Sequence, residues 1–109
     1  MITIQELTEL VKHFRDERDW AQFHTGKDLA ISLNVESAEL LELFLWKNSD
    51  EVNIENLNAE IADVFYNLLL IADKFKVDLN SALVKKLEEN AKKYPIEKAR
   101  GNNLKYDAL

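Results

Sequence analysis

The sequence predicts an all-α protein, and three observations support this. Glycine occurs only twice and proline only once in 109 residues, so the chain has few of the residues that mark turns between strands. Apolar residues recur at three- and four-residue spacing through most of the chain, which is the period of a helix face. Residues that cap helices stand where these apolar runs begin. We therefore expect a four-helix bundle in a single domain that spans residues 1–109.

Four helices are expected from the apolar periodicity and from the polar breaks between them. They span approximately residues 3–19, 26–47, 55–76 and 79–93. The second helix carries apolar residues on more than one face, so we expect it to be central rather than on the surface. Tyr94 and Pro95 end the fourth helix, because proline disfavours a helical residue before it, and the tail beyond should be irregular.

Three residues are predicted to cap helix N-termini. Thr3 is followed three residues later by Glu6, and Thr25 by Asp28, so both pairs have the spacing of a capping box. Asp78 is the expected cap of the fourth helix.

Composition excludes several functional classes. The chain has 20 acidic and 14 basic residues, whereas modules that bind nucleic acid are usually basic. It has no cysteine, which excludes disulfides, zinc–thiolate sites and thiol catalysis. No apolar run has the ~18 residues of a membrane span, and the N-terminus does not resemble a signal peptide. We expect a cytoplasmic protein that binds neither nucleic acid nor a membrane.

Two acidic pairs lie inside apolar helical runs: Glu36 with Glu39, and Glu60 with Asp63. Side chains three residues apart share a helix face, so each pair points two carboxylates in the same direction. If the two helices face each other, four carboxylates meet in a mostly apolar interior and need a counter-charge. An oxygen ligand set suits Mg²⁺ or Mn²⁺.

The histidines limit the choice of metal chemistry. Di-iron carboxylate bundles use Glu-x-x-His pairs, and neither His13 nor His24 lies three residues after a glutamate. An oxygen-only magnesium site commonly meets phosphates, so the pattern indicates phosphoryl chemistry. The competing interpretation is that both acidic pairs are ordinary solvated helix surface.

The acidic pattern and its surroundings resemble a known family. Glu-x-x-Glu, a spacer of twenty residues and Glu-x-x-Asp form its signature, and three further stretches are similar to the same family: 18–24, 29–47 and 86–95. The chain resembles the MazG-like nucleoside triphosphate pyrophosphohydrolases of the all-α NTP pyrophosphatase superfamily. It is most similar to the small single-domain branch that includes dCTP pyrophosphatase, over about residues 4 to 106.

The resemblance implies a reaction and the residues that perform it. Family members cleave a nucleoside triphosphate between the α and β phosphates, which yields the monophosphate and pyrophosphate. The resemblance assigns Mg²⁺ binding and catalysis to Glu36, Glu39, Glu60 and Asp63. It assigns substrate binding to Trp20, Phe23, His24, Trp46, Asn67, Lys86, Asn90 and Lys93. The aromatic members would stack on the base, and the lysines and Asn90 would hold the phosphates.

The chain departs from the family pattern at two positions. Gly26 stands where the family usually has proline, which should loosen the start of the second helix. Asn67 stands where many relatives have tyrosine, and Tyr66 is displaced by about 100° around the helix. A shorter hydrogen-bonding group at residue 67 should change which nucleotide is preferred.

We expect a homo-oligomer, a dimer or a dimer of dimers, because family members generally pair and the helices are rich in apolar surface. The leading expectation is a house-cleaning hydrolase of (d)NTPs, with dCTP or a modified pyrimidine nucleotide as candidate. The alternatives are an enzyme similar to phosphoribosyl-ATP pyrophosphohydrolase and a non-catalytic helical interaction module.

Overall fold

The computed structural model describes all 109 residues and contains five α-helices and no strand, which confirms the all-α prediction. The helices are α1 (Ile4–Glu17), α2 (Gly26–Glu42), α3 (Ile54–Lys74), α4 (Leu79–Lys93) and α5 (Ile96–Ala99). The chain forms two compact units, Met1–Val77 and Asp78–Leu109. None of the helices has the length and apolar character needed to cross a bilayer.

The three predicted N-caps are confirmed. Thr3 completes a capping box, because its Oγ1 accepts from the Glu6 N–H at 3.1 Å and its own N–H donates to Glu6 Oε1 at 3.3 Å. Thr25 Oγ1 accepts from the Asp28 N–H at 3.1 Å, but Asp28 does not return the bond. Asp78 caps α4 through the Ser81 N–H.

Helices α1 and α3 end earlier than the sequence predicted, and both end in the same way. Asp19 and Lys76 adopt left-handed conformations, with φ of 54° and 57°. After α1, the Trp20 N–H donates to the Arg15 carbonyl at 3.1 Å, which is the long hydrogen bond of a Schellman motif. After α3, the Val77 N–H bonds to the Ala72 carbonyl at 2.8 Å. Glycine usually marks this turn, and its absence explains why the sequence placed both helix ends too late.

Helix α2 was expected to reach residue 47 but ends at Glu42. The chain continues in tight turns, in which the Phe44 N–H bonds to the Leu41 carbonyl at 3.0 Å. Trp46 then takes a left-handed φ of 65°. An apolar run does not distinguish a helix from a series of turns, and this run was extended too far.

The central helix of the first unit is α3, not α2 as predicted. Helix α3 packs against both α1 and α2. It supplies Leu69 and Leu70, each 2% exposed, and Ala72, whereas α2 buries only Leu29. The apolar residues of α2 that the sequence placed in a core stay on the surface of the chain: Ile31, Val35 and Leu41.

The structure explains why glycine is suited to position 26, at the start of α2. A Cβ built on Gly26 would overlap the ring of Phe75, with Cε2 at 2.8 Å. Phe75 follows the last residue of α3, so the missing side chain leaves room for this ring beside the start of α2.

The second unit consists of α4, α5 and a 3-10 turn at Tyr106–Ala108. Its tail is therefore more regular than predicted. Tyr94 and Tyr106 meet edge to face with ring centroids 6.1 Å apart. The ammonium group of Lys93 lies 5.0 Å from the Tyr106 ring centroid, within the range of a cation–π contact.

Candidate active site

Three of the four predicted carboxylates converge between α2 and α3. Glu36, Glu60 and Asp63 each offer an oxygen, and these three atoms lie within 4.8 Å of one another. Glu36 projects from α2, while the other two are three residues apart on α3 and so share a face. The packing of α3 against α2 therefore builds a group of oxygen ligands from residues 24 positions apart in the sequence.

This group is electrostatically strained in the absence of a cation. Burial and the negative charge of Glu39 raise the pKa of Glu36 from 4.5 to about 7. Burial, followed by the charges of Glu39 and Asp63, also raises the pKa of Glu60. Each of these two glutamates has a buried Oε2 with no hydrogen-bond partner. Buried polar atoms are normally paired, so two unpaired carboxylate oxygens on facing helices are suited to bind a cation.

Glu39 lies beside this group without being one of its three converging members. It is half-buried, and its charge acts on both Glu36 and Glu60. Its assignment as a fourth ligand stays a prediction. Glu39 is three residues after Glu36, so it extends the same face of α2 by one helical turn.

A cavity of about 380 Å³ opens beside the carboxylates. It is lined by Trp20, Phe23, His24, Asp28, Leu29, Ser32, Glu36, Asp63, Tyr66 and Asn67. Four of the predicted substrate-binding residues are thus brought together with two of the predicted metal ligands. The volume lies in the range typical of small-molecule sites, and aromatic walls with a few polar groups are typical of such sites as well.

His24 contributes an unpaired buried nitrogen to this cavity. Its Nδ1 has no hydrogen-bond partner, and burial together with the positive charge of Arg15 lowers the pKa of the ring. A lowered pKa keeps the imidazole neutral at pH 7, with one nitrogen as donor and the other as acceptor. The cavity therefore contains a neutral group that can hydrogen-bond in either direction.

Asn67 and Tyr66 both reach the cavity, although the sequence placed them on different parts of the helix. Asn67 is 5% exposed, and its Nδ2 donates to the Asp63 carbonyl at 2.9 Å, which fixes the amide one helical turn after Asp63. Tyr66 is half-buried, and burial raises its pKa. The phenol and the amide thus line the cavity together with Asp63, which is also one of the three converging carboxylates.

The entry segment before α2 is fixed by aromatic contacts. The Trp20 and Phe14 rings meet edge to face with centroids 5.8 Å apart, and Phe14 meets Tyr66 in the same manner at 6.3 Å. The Arg18 guanidinium carbon lies 3.7 Å from the Phe14 ring centroid. Together with the Schellman turn, these contacts hold Trp20 against the cavity.

A second cavity of about 470 Å³ lies beyond this wall. It is lined mainly by apolar side chains of α1: Leu10, Val11 and Phe14. Trp20, Asp63 and Tyr66 line this cavity as well as the first, so the two cavities share a wall.

The remaining predicted site residues do not line the first cavity. Trp46 is 99% exposed in the turn that follows α2. Lys86, Asn90 and Lys93 belong to α4 in the second unit, where Lys86 is 3.9 Å from Glu89. The substrate-binding roles of these four residues stay predictions.

Four cavity residues were not singled out from the sequence as site residues: Asp28, Leu29, Ser32 and Tyr66. Asp28 and Ser32 carried a signal, because they precede Glu36 at intervals of four residues and so share its helix face. Tyr66 likewise follows Asp63 by three residues. The spacing was present, but nothing in it shows which helix face borders a cavity.

Comparisons with known proteins show the family of the chain. The family model described as MazG-like matches residues 31–109. Proteins named dCTP pyrophosphatase 1 from Mus musculus and from Homo sapiens are each 35% identical over 115 aligned residues, which cover 98% of this chain and 68% of the relative. A crystal structure of a pyrophosphatase from Archaeoglobus fulgidus superposes with a TM-score of 0.78 at 40% identity, over 84% of this chain and 91% of that one. The chain belongs to the MazG-like family.

Proposed function

We propose that this protein is a magnesium-dependent nucleoside triphosphate pyrophosphohydrolase, which converts a (d)NTP and water into the monophosphate and pyrophosphate. The observation that carries the proposal is the convergence of Glu36, Glu60 and Asp63 oxygens within 4.8 Å beside a cavity of nucleoside size. Relatives named for pyrophosphatase activity support it. The proposed setting is the cytoplasm, where the enzyme would clear unwanted nucleotides from the pool.

The residues present fit a hard divalent cation. Glu36 and Glu60 leave buried oxygens without partners, Asp63 adds a third oxygen, and Glu39 is the proposed fourth ligand. Carboxylates alone suit Mg²⁺, with Mn²⁺ as a substitute. When bound, such an ion polarises phosphate oxygens and makes water a better nucleophile. The carboxylates hold the ion and also orient the phosphate chain.

The nucleoside would occupy the 380 Å³ cavity. Trp20 and Phe23 offer aromatic faces on which a base can stack, and such stacking is tolerant of base identity. Selectivity among bases therefore depends on the polar groups of the wall, including His24 and Asn67. A deoxycytidine nucleotide or a modified pyrimidine is the proposed substrate, in agreement with the names of the relatives.

The phosphates need positive partners that this cavity does not provide, since no lysine or arginine lines it. We propose that Lys86, Asn90 and Lys93 donate to the triphosphate, as the family resemblance implies. We also propose a homo-oligomer, a dimer or a dimer of dimers. Apolar side chains exposed on α2 and α4 support association, among them Ile31, Leu41, Leu83 and Leu87.

A product assay tests the proposal. The purified protein is incubated with a panel of dNTPs, NTPs and phosphoribosyl-ATP, with Mg²⁺ or with EDTA, and pyrophosphate and orthophosphate are measured separately. We expect pyrophosphate and monophosphate only when Mg²⁺ is present. Release of orthophosphate, or turnover that is unaffected by EDTA, would contradict the proposal. Preferential cleavage of phosphoribosyl-ATP would instead support the biosynthetic alternative.

The non-catalytic alternative makes a different prediction about the carboxylates. If the acidic pairs were only solvated surface, neither Mg²⁺ nor a nucleotide would change the melting temperature. Saturation at 100 times the dissociation constant should add about 2.7 kcal/mol to the free energy of unfolding if the site is real. The buried, unpaired oxygens of Glu36 and Glu60 favour the metal site.

A further inference from the structure

One stripe of α2 borders the first cavity: Asp28, Ser32 and Glu36 all line it. Residues four apart return to nearly the same helix face and advance about 6 Å along the axis. Asp28 therefore lies about 12 Å along the helix from Glu36. The cavity thus has two acidic ends. Glu36 and Asp63 lie at one end, and Asp28 lies at the other, at the start of α2.

A nucleotide has the same two-ended layout. With the α-phosphate at Glu36, the sugar comes next and the hydrogen-bonding edge of the base is farthest away, in the direction of Asp28. We propose that Asp28 is a specificity-determining residue that accepts a hydrogen bond from the exocyclic amino group of the substrate base. This inference rests on the proposed function, and it names the class of base that the site selects.

The Asp28 carboxylate is free for this role. At the start of α1, the equivalent acidic residue Glu6 uses its carboxylate to close the capping box with the Thr3 N–H. At the start of α2, only the Asp28 N–H is engaged, by Thr25 Oγ1 at 3.1 Å. A carboxylate that does not complete its capping box and borders a cavity can accept from a ligand.

His24 provides the second half of the recognition. Its unpaired Nδ1 belongs to a ring that lines the same cavity, and the neutral imidazole can donate one hydrogen bond. A carboxylate acceptor beside an imidazole donor is complementary to an amino group next to an unprotonated ring nitrogen. Cytosine and adenine present that pair, and an acidic side chain that accepts from the cytosine amino group is a known recognition mode.

Bases with a carbonyl group in place of the amino group would be rejected. Uracil, thymine and hypoxanthine place a carbonyl oxygen against the Asp28 carboxylate, so two acceptors meet and neither is satisfied. A hydrogen bond to a charged group contributes about 1.5–3 kcal/mol, which corresponds to a discrimination of roughly 10- to 100-fold.

Two matched substrate pairs test the role of Asp28. Binding of the α,β-imido analogues of dCTP and dUTP, and of dATP and dITP, is measured by calorimetry with Mg²⁺ for the parent chain and for Asp28→Asn. Within each pair, the first base carries an exocyclic amino group where the second carries a carbonyl oxygen. The matched control is Glu55→Gln, which removes an acidic side chain from the first turn of α3. Thr25 bonds to the backbone at residue 28, so Asp28→Asn keeps the helix cap.

We expect the parent chain and Glu55→Gln to favour the amino member of at least one pair by roughly 10- to 100-fold, and Asp28→Asn to bring that ratio close to one. The pair that shows the preference identifies cytosine or adenine. Equal binding by the parent chain, or an unchanged ratio in Asp28→Asn, overturns the proposal. Discrimination in binding without pyrophosphate release from dNTPs would leave the role of Asp28 intact and refute the hydrolase.

Discussion

The two halves of α3 have opposite effects on the stability of the folded chain. Its C-terminal half buries Leu69, Leu70 and Ala72 and forms most of the core of the first unit. Its N-terminal half carries Glu60 and Asp63, whose oxygens crowd against a third carboxylate from α2. One half lowers the free energy of the folded chain by burial, and the other raises it by bringing like charges together. This difference is the one expected if the carboxylates bind the proposed cation and the core holds them in place.

The core half should show the largest effect on stability. Leu70→Ala removes a side chain that is 2% exposed and leaves a cavity, so the free energy of unfolding should fall by about 2–5 kcal/mol. Chemical denaturation measures this change. A loss below about 1 kcal/mol would mean that this end of α3 is not the core. An exposed leucine on another helix, Leu10, provides the matched control as Leu10→Ala.

The charged half should show the reverse pattern. Glu60→Gln should lower kcat/KM by at least ~100-fold, because it removes an oxygen of the proposed magnesium site. The same substitution should leave the metal-free melting temperature unchanged or raise it, since one of several repelling charges is gone. Pyrophosphate release and thermal unfolding, measured on the same sample, separate the two effects. A variant that is active but unstable would contradict the division of roles.

The pH dependence of stability sharpens the comparison. Burial raises the pKa of Glu36 to about 7 in the folded chain, above its usual value of 4.5. The folded state therefore binds the proton more tightly than the unfolded state, and its stability is highest below pH 4.5 and falls as pH rises to about 7. We expect the metal-free protein to melt at a lower temperature at pH 8 than at pH 5.5 through this group.

Magnesium should oppose this loss of stability at high pH. Ligand carboxylates must lose their protons before they bind a metal, so Mg²⁺ competes with protons. The increase in melting temperature on adding Mg²⁺ should be larger at pH 8 than at pH 5.5. Equal increases at both values would show that Glu36 is not a ligand.

Asn67 lies where the two halves meet and should show the smallest change in stability. Asn67→Leu keeps the branched shape of the side chain but loses the bond to the Asp63 carbonyl, so the free energy of unfolding should change by about 1 kcal/mol or less. The substitution should act mainly on KM, because the Asn67 amide lines the cavity and is not one of the converging carboxylates. A fall in kcat with an unchanged KM would instead indicate that Asn67 positions Asp63.

How much could be predicted from the sequence depended on whether the cause was local. Thr3, Thr25 and Asp78 act within three residues of their own positions, and all three caps were predicted correctly. The ends of α1 and α3 were missed because left-handed Asp19 and Lys76 replace the glycine that usually marks such turns.

The candidate site divides along the same line. Glu60 and Asp63 share a helix face by spacing alone, and the meeting with Glu36 required only that the two helices face each other. The contributions of Tyr66 and Asp28 required knowledge of how the segment before α2 folds against α3, which no local pattern contains. The prediction that α2 is the central helix was wrong for the same reason. The apolar content of a helix does not show which other elements cover its faces.

The wall formed by Trp20, Asp63 and Tyr66 has a practical consequence. Because these side chains border both cavities, a small hydrophobic molecule bound beside Leu10 and Val11 would press on the surface that we propose stacks against the base. Compounds could then reduce turnover without resembling a nucleotide at all. Screening fragments against the second cavity offers a route to inhibitors that are not substrate analogues.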